Sequence, residues 1–205
     1  MNNKEKGLIL VVSGPAGSGK GTVNAFLRET GDYVYSVSRT TRAPRPQEEH
    51  GVHYLFVSRE EFLECLAKDD FLEHNEYCGN LYGTPRSTAE AAISEGKNII
   101  LEIDVNGARQ VKANCPDAVL IMLLPPSFSV QEKRLRGRAT DTEESIRSRL
   151  EQTHKELQEL ALYDYVVINR DGESEEAAND IMAIVRAEKC ARRRHAEMER
   201  IYFES

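Results

Sequence analysis

The sequence has no apolar run that approaches the roughly 18 residues of a membrane-spanning helix; its longest, AVLIMLLPP at 118–126, is half that. It also lacks the basic, apolar and cleavable segments of a secretory signal, because the polar MNNKEKG leads straight into LILVV. The cytoplasm is therefore the expected compartment. Cysteine is scarce and scattered: Cys65, Cys78, Cys115 and Cys190 form no C-x-x-C and have no histidine at zinc-finger spacing. Reduced thiols are expected, not a disulfide framework or a zinc site. Positive charge is in deficit. A formal net charge of −7 excludes general affinity for nucleic acid, which needs a basic face to neutralise phosphates. Any anionic ligand must be held by local arginines against the overall field. There is no internal repeat and no low-complexity stretch. What remains, 205 residues with 40% apolar and 30% charged side chains, suits one compact domain with an inserted lobe.

Four short runs, at 8–13 (LILVVS), 98–103 (NIILEI), 118–124 (AVLIMLL) and 165–169 (YVVIN), are apolar nearly throughout. Without a polar alternate they read as strands of a parallel sheet covered on both faces. Helical stretches are expected near 20–29, 86–96, 106–113, 127–137, 143–162 and 174–194. Strand alternating with helix implies right-handed crossovers and a three-layer α/β core. Residues 36–84 break that rhythm with HYLFV, the helical SREEFLECLAK and the alternating FLEHNEYCGNLYG, which predicts an inserted antiparallel lobe. The last helix is expected to run into AEKCARRRHAEMERIYFES as a solvated face of mixed charge.

Between the first strand and the first helix lies GPAGSGKGT at 14–22. Gly14, Gly19 and Lys20 meet the phosphate-loop pattern G-x-x-x-x-G-K, but the next position, whose hydroxyl normally holds Mg²⁺, is Gly21, and Thr22 follows. A strand entering and a helix leaving aim main-chain N–H groups at one anion, with Lys20 reaching the β- and γ-phosphates. The expected ATP-binding segment is thus Gly14, Pro15, Ala16, Gly17, Ser18, Gly19, Lys20, Gly21 and Thr22. Loss of the metal-binding hydroxyl argues against a GTPase switch. It suits small-molecule phosphoryl transfer, in which Mg²⁺ is held mainly by phosphate oxygens and water.

SVSRTTRAPRP places Arg39, Arg42 and Arg45 close together, among hydroxyls and stiffened by Pro44 and Pro46. Taken alone it fits a site for a phosphate dianion and a solvated basic loop equally. Five stretches in order and spacing decide more: SGPAGSGKGT, SVSRTTRAPRPQEEHGVHYLFVSREEF, FLEHNEYCGNLYGTP, ILEIDVNGARQVK and KRLRGRATDTEESIRSRL. Over about residues 8–185 the chain resembles the guanylate kinase family. The resemblance implies a phosphate-loop NTPase core of parallel sheet (1–36, 85–136 and 150–190), a mixed antiparallel nucleoside monophosphate-binding lobe (about 37–84), a helical lid (about 137–149) and a charged C-terminal helix (about 190–205). It implies ATP as co-substrate, Mg²⁺, and GMP with dGMP as acceptors; an inactive protein-binding module and a kinase for another phosphorylated acceptor are the alternatives.

Position by position, the resemblance puts Arg42, Arg45, Tyr54 and Tyr82 on the acceptor phosphate and Ser38, Glu73, Thr84 and Asp104 around the guanine; Arg39 takes no family role. The chemistry is specific, since a carboxylate accepts the adjacent N1–H and 2-amino donors of guanine at once and would face a lone pair in adenine. By composition alone Glu73 reads as a solvent-facing charge. Glu102, two residues before Asp104 and so on the same expected strand face, is the expected water-mediated Mg²⁺ ligand. In the lid, Arg134, Arg138 and Arg149 would join Lys20 and Arg42 in spreading the charge of the transition state. Thr140 with Glu143 fits a capping box for the second lid helix. Asn169 matches a position near the donor adenine, while Arg170 and the DVNG stretch depart from the family pattern.

Overall fold

A computed structural model of the chain describes residues 6–77, 79–137, 142–197, 200 and 202–203. In its first strand, β1 (Ile9–Ser13), every residue is buried. Leu10 and Val12 pack with Val23 and Leu27 on one side of the sheet, Ile9 and Val11 with Ala108 and Val111 on the other. Successive side chains of a strand point to opposite faces, so a strand covered twice is apolar through its middle, and in β1 only the last residue, Ser13, is polar. Each such Leu, Ile or Val contributes roughly 1.5–3 kcal/mol through burial.

The same rule holds for β7 (Asn98–Leu101) and β8 (Val119–Leu124) beside it, with β2 (Tyr33–Tyr35) and β9 (Tyr165–Ile168) at the edges. Among the described residues these form a five-stranded sheet, ordered β2-β7-β1-β8-β9 and parallel throughout. Helices α1 (Lys20–Glu29) and α7 (Ser174–Lys189) cover one face; α3 (Arg86–Ser94) and α4 (Val105–Asn114) cover the other. The three-layer α/β core is as expected. One detail differs: β7 stops at Leu101, so Glu102 and Asp104 leave the strand, and Asp104 is the N-cap of α4.

A second sheet has the order β4-β3-β6-β5, from β3 (Arg39–Thr40), β4 (Leu55–Phe56), β5 (Phe71–Tyr77) and β6 (Asn80–Pro85). It is mixed: β3 and β4 run parallel, because the long connection between them returns the chain to its starting direction. The helix α2 (Arg59–Ala67) opens with a Ser58–Glu61 capping box, worth about 1 kcal/mol. Its buried Phe62 stacks on Phe71 at 4.5 Å. Arg39 belongs to this small core: its guanidinium donates to Asp70 at 3.0 Å and to the Cys65 sulfur at 2.8 Å and lies over the Phe71 ring.

After β8 come α5 (Phe128–Arg136) and α6 (Glu143–Gln158). Arg138 and Thr140 lie outside the described residues. The hydroxyl that caps α6 is that of Thr142, which accepts from the Ser145 N–H at 3.2 Å. Glu143 is therefore the first helical residue, not the third, and pairs with Arg136 of α5. At the other end α7 stops at Lys189, short of the expected 194. The cause is Glu188, only 2% exposed, whose carboxylate draws Arg193 and Arg194 back and bends the chain into a 3-10 turn at Arg192–His195. No helix among the described residues is long and apolar enough to cross a membrane.

Candidate active site

The loop between β1 and α1 is held open by two glycines. Gly14 has φ 155°, and a Cβ there would lie 2.1 Å from the Leu123 carbonyl oxygen; Gly19 has φ 90°, and its Cβ would meet the Asn169 amide nitrogen at 2.2 Å. That nitrogen donates to the Ser18 carbonyl at 2.7 Å, so Asn169 clamps the loop from β9. Side-chain oxygens of Ser58, Asp104, Ser127 and Thr142 cap α2, α4, α5 and α6, whereas no side chain caps α1. The first-turn N–H groups of α1 are thereby available to an anion, at the positive end of the helix dipole. The Lys20 ammonium closes over the loop, donating to the carbonyls of Gly14 at 2.5 Å and Pro15 at 3.4 Å. Buried Ser18 Oγ has no partner among the described residues, Thr22 is exposed, and Gly21 has open space around its Cβ position.

Helix α5 reaches this loop through two side chains. Arg134 on α5 donates to Asp171 at 2.7 Å and to the Asn169 carbonyl at 2.8 Å, with Gly17 and Ser18 carbonyls at 3.3 and 3.5 Å. Gln131, 1% exposed, gives its amide to the Ala16 carbonyl at 2.9 Å and to the Thr153 hydroxyl of α6 at 2.7 Å. Thr153 in turn donates to the carbonyl of half-buried Arg149 at 3.0 Å.

At the other end, Arg42 Nη2 donates to both Glu48 oxygens at 2.9 Å, and the guanidinium lies over the rings of Tyr54 and Phe56. The Arg45 N–H, followed by the Arg42 guanidinium, holds Glu48 below the usual carboxylate range, and Glu48 raises Arg42 in return. Arg45 itself is 74% exposed, its guanidinium 3.9 Å from Glu48. Tyr54 and Tyr82 meet edge to face at 6.1 Å, and burial pushes the Tyr54 phenol up. Arg39 points into the lobe core instead, away from this cluster.

Glu73 and Thr84 are direct cross-strand partners on β5 and β6. Glu73 is 6% exposed and accepts from the Thr84 hydroxyl at 2.6 Å, while Ser38 Oγ stands 3.5 Å from that hydroxyl. Burial pushes the Glu73 carboxyl up, the Thr84 hydrogen bond pulls it partly back, and the charge of Asp104 adds to the rise. Asp104 is spent in part on capping, accepting from the Gly107 N–H at 2.9 Å. The same Gly107 gives Glu73 room, since a Cβ there would lie 3.2 Å from its Oε2. Glu102 accepts from Asn24 at 2.9 Å and faces the Tyr35 hydroxyl at 3.5 Å. A cavity of about 60 Å³ joins the sheets, lined from the lobe by Ser38, His53, Tyr54 and Thr84 and from the core by Tyr35, Ser36, Glu102 and their neighbours.

The structure therefore gathers Ser38, Glu73, Thr84 and Asp104 in one place and Arg42, Arg45, Tyr54 and Tyr82 in another, with Lys20 on the separate loop between β1 and α1. Glu48, Asn24 and Gln131 were not anticipated. Their partners lie 6, 78 and 115 residues away, and no spacing rule connects such positions.

Comparison with known proteins is consistent along the whole length. The guanylate kinase family model matches residues 6–188. A guanylate kinase of Halalkalibacterium halodurans is 49% identical over 195 residues, 95% of this chain and 95% of the relative. One from Clostridium perfringens is 45% identical over 191 residues, 93% of this chain and 88% of the relative. The crystal structure of guanylate kinase from Anaplasma phagocytophilum superimposes with a TM-score of 0.70 at 36% identity, covering 92% of this chain and 89% of that one. On these matches the chain belongs to the guanylate kinase family.

Proposed function

We infer that the chain transfers the γ-phosphoryl group of ATP directly to GMP, and to dGMP, giving ADP and the nucleoside diphosphate. The observation that carries the acceptor is the buried Glu73 carboxylate, hydrogen-bonded to Thr84 and joined to a hydroxyl-lined cavity. A carboxylate costs free energy to bury without partners, and guanine is a base that offers it two adjacent donors. Ser38, Thr84 and Asp104 complete that edge. Arg42, Arg45, Tyr54 and Tyr82 take the acceptor phosphate, for which Arg42 exchanges Glu48. The ATP phosphates lie on residues 14–22 under Lys20.

No general base is needed, because a phosphate monoester is already largely ionised at pH 7. Lys20, Arg42, Arg134 and Arg149, with Arg138, which lies outside the described residues, neutralise charge as it spreads over the transferring group. Closure of lobe and lid excludes water. Among the described residues no three His, Cys, Asp or Glu side chains are placed to hold a metal. The single carboxylate Glu102, steadied by Asn24, fits a Mg²⁺ that keeps phosphate and water ligands and touches protein through one of those waters. Bound there, Mg²⁺ supplies neutralisation of the β- and γ-phosphate charge.

The test is ADP release with ATP and Mg²⁺ across GMP, dGMP, AMP, CMP and UMP. Turnover confined to GMP and dGMP is expected. Faster turnover with AMP or UMP would overturn the acceptor, and none with any acceptor would point to a binding module.

A further inference from the structure

An anion-binding loop needs its peptide N–H groups turned inward, and because each peptide is planar and trans its carbonyls then turn outward. Three successive carbonyls of this loop are held from behind by side chains. Arg134 approaches those of Gly17 and Ser18, and Asn169 takes that of Ser18 as well. The Ala16 carbonyl accepts from the Gln131 amide. The loop lies directly on that residue: a Cβ at Gly17 would stand 3.4 Å from the Gln131 carbonyl oxygen and 3.5 Å from its Cγ. Gln131 and Arg134 are three apart on α5 and so share one face of the helix. Arg134 brings charge to the reaction; Gln131 brings none, and phosphoryl transfer as described gives it no task.

Its setting supplies one. Gln131 is buried, and its Nε2 has two protons to give. One goes to the Ala16 carbonyl at 2.9 Å and the other to the Thr153 hydroxyl at 2.7 Å. Thr153, also buried, spends its own proton on the Arg149 carbonyl at 3.0 Å, so toward Gln131 its oxygen can only accept. Direction is thereby fixed along the whole line, from Ala16 through Gln131 and Thr153 to the helix that carries Arg149. A buried amide costs free energy unless its hydrogen bonds are made, and an apolar side chain of similar size would fill the same space. What the amide adds is the hold on the Ala16 carbonyl. Turning that oxygen toward α5 turns the Gly17 N–H, on the opposite side of the same peptide, into the loop. Gly17 has φ 86°, a conformation that glycine adopts readily but, being the most flexible residue, does not hold unaided.

We propose that Gln131 is a positioning residue for the donor phosphates: it holds the peptide between Ala16 and Gly17 so that the Gly17 N–H meets them, and Thr153 holds Gln131. The proposal rests on the phosphotransfer reading, but its binding readout needs no turnover. The test is calorimetry of ADP and of GMP on the ligand-free protein and its variants. Gln131→Leu should weaken ADP about tenfold, as for one hydrogen bond to a charged group, and leave GMP within about twofold. In turnover, the KM for ATP should rise by a similar factor with kcat within about threefold, because an N–H that binds the phosphates before and during transfer serves ground and transition states alike. Thr153→Val keeps the Ala16 bond and should weaken ADP about threefold; added to Gln131→Leu it should weaken ADP no further. Unchanged ADP affinity in Gln131→Leu would overturn the proposal, as would equal losses for ADP and GMP, or a fall in kcat with the KM for ATP unmoved. Losses that multiply in the double variant would overturn the link through Thr153. Should Gln131→Leu not fold, Thr153→Val decides alone: a loss of about threefold confined to ADP supports the proposal, and no loss overturns it. A parent that binds ADP yet turns over no acceptor would defeat the phosphotransfer reading alone.

Discussion

At the phosphate loop, nine consecutive residues include one lysine whose ammonium is held by the main-chain carbonyls of Gly14 and Pro15, and neighbours leave no room for a side chain at Gly14 or Gly19. At the end proposed to take guanine and the acceptor phosphate, the polar groups are side chains from separate segments, and several are already engaged: Arg42 by Glu48, Glu73 by Thr84, Asp104 by the Gly107 N–H. The first end is fixed by backbone shape, the second by charge partners. Damage to the first should stop the reaction whatever the acceptor. Damage to the second should change which acceptor is used, and how that use depends on pH.

The largest expected effect tests the first half of that contrast. Lys20→Ala should lower kcat by about 10²–10³-fold, as for loss of one preorganised transition-state donor. Calorimetric affinity for GMP should be nearly unchanged, because no acceptor group is altered. Near-normal turnover would break the comparison at its strongest point.

Glu73→Gln tests the second half. A hydrogen bond to a charged group is worth about 1.5–3 kcal/mol, so kcat/KM for GMP should fall roughly 10- to 100-fold and the preference for GMP over AMP should narrow by the same factor. Equal losses would remove Glu73 from base reading. The pH dependence gives an independent sign. Guanine donors favour the ionised carboxylate, and burial has raised the Glu73 value above the ordinary one. The KM for GMP should therefore climb, as pH falls, sooner than a normal carboxylate would cause. The GMP phosphate titrates nearby, with a second pKa of about 6, so the portion due to Glu73 is the portion that Glu73→Gln abolishes. Stability runs the opposite way to binding: the folded protein holds this proton more tightly than the unfolded chain. Stability is therefore highest below the unfolded value and is lost as pH rises through the raised folded value. Glu73→Gln should thus unfold at the same temperature as the parent or higher at neutral pH.

Thr84→Val is the gentler test of the same pair. The Thr84 hydroxyl donates to the ionised Glu73 at 2.6 Å and so favours the charged form; removing it should move the acid rise in KM to higher pH. The bond lost is one to a charged group, about 1.5–3 kcal/mol, but it is present in the free and the GMP-bound protein alike, so the KM for GMP at neutral pH should rise by only about fivefold. An acid limb that moves down, or stays, would show that Thr84 does not tune Glu73.

The same contrast explains what the sequence could disclose. The core strands were legible because burial on both faces leaves Ile9 to Val12 no polar alternate, and the phosphate loop because its parts are contiguous. The cap of α6 was misplaced by two residues: Thr140 and Thr142 both precede acidic residues, and only backbone geometry decides which hydroxyl reaches an N–H. Arg39, Arg42 and Arg45 look alike in the sequence, yet one is committed to Asp70 and Cys65, one to Glu48, and one to solvent. That sorting depends on which acid the fold delivers. Gln131 and Asn24 were invisible for the same reason, each polar group acquiring its meaning only across a tertiary contact.

Gly21 is the position where the comparison can be sharpened most finely, because it is a phosphate-loop glycine that the backbone does not require. Gly14 and Gly19 could not carry a Cβ, but at Gly21 nothing lies within 4 Å of where one would stand. Crowding therefore does not explain the missing hydroxyl, and Gly21→Ser should fold without strain. Serine in the first turn of α1 has the better helix propensity, by about 0.5 kcal/mol, so the unfolding midpoint should rise by about 1–2 °C. If Mg²⁺ rests on nucleotide phosphates and water, with Glu102 behind a water, an added hydroxyl gives the reaction little that it lacks. The expected change in kcat, measured at saturating ATP, GMP and Mg²⁺, is then under about twofold. A tenfold gain would mean that the loop was short of a metal ligand. A tenfold loss would mean that the open space beside Gly21 belongs to the phosphates themselves, and that even this glycine is demanded by what the loop must hold.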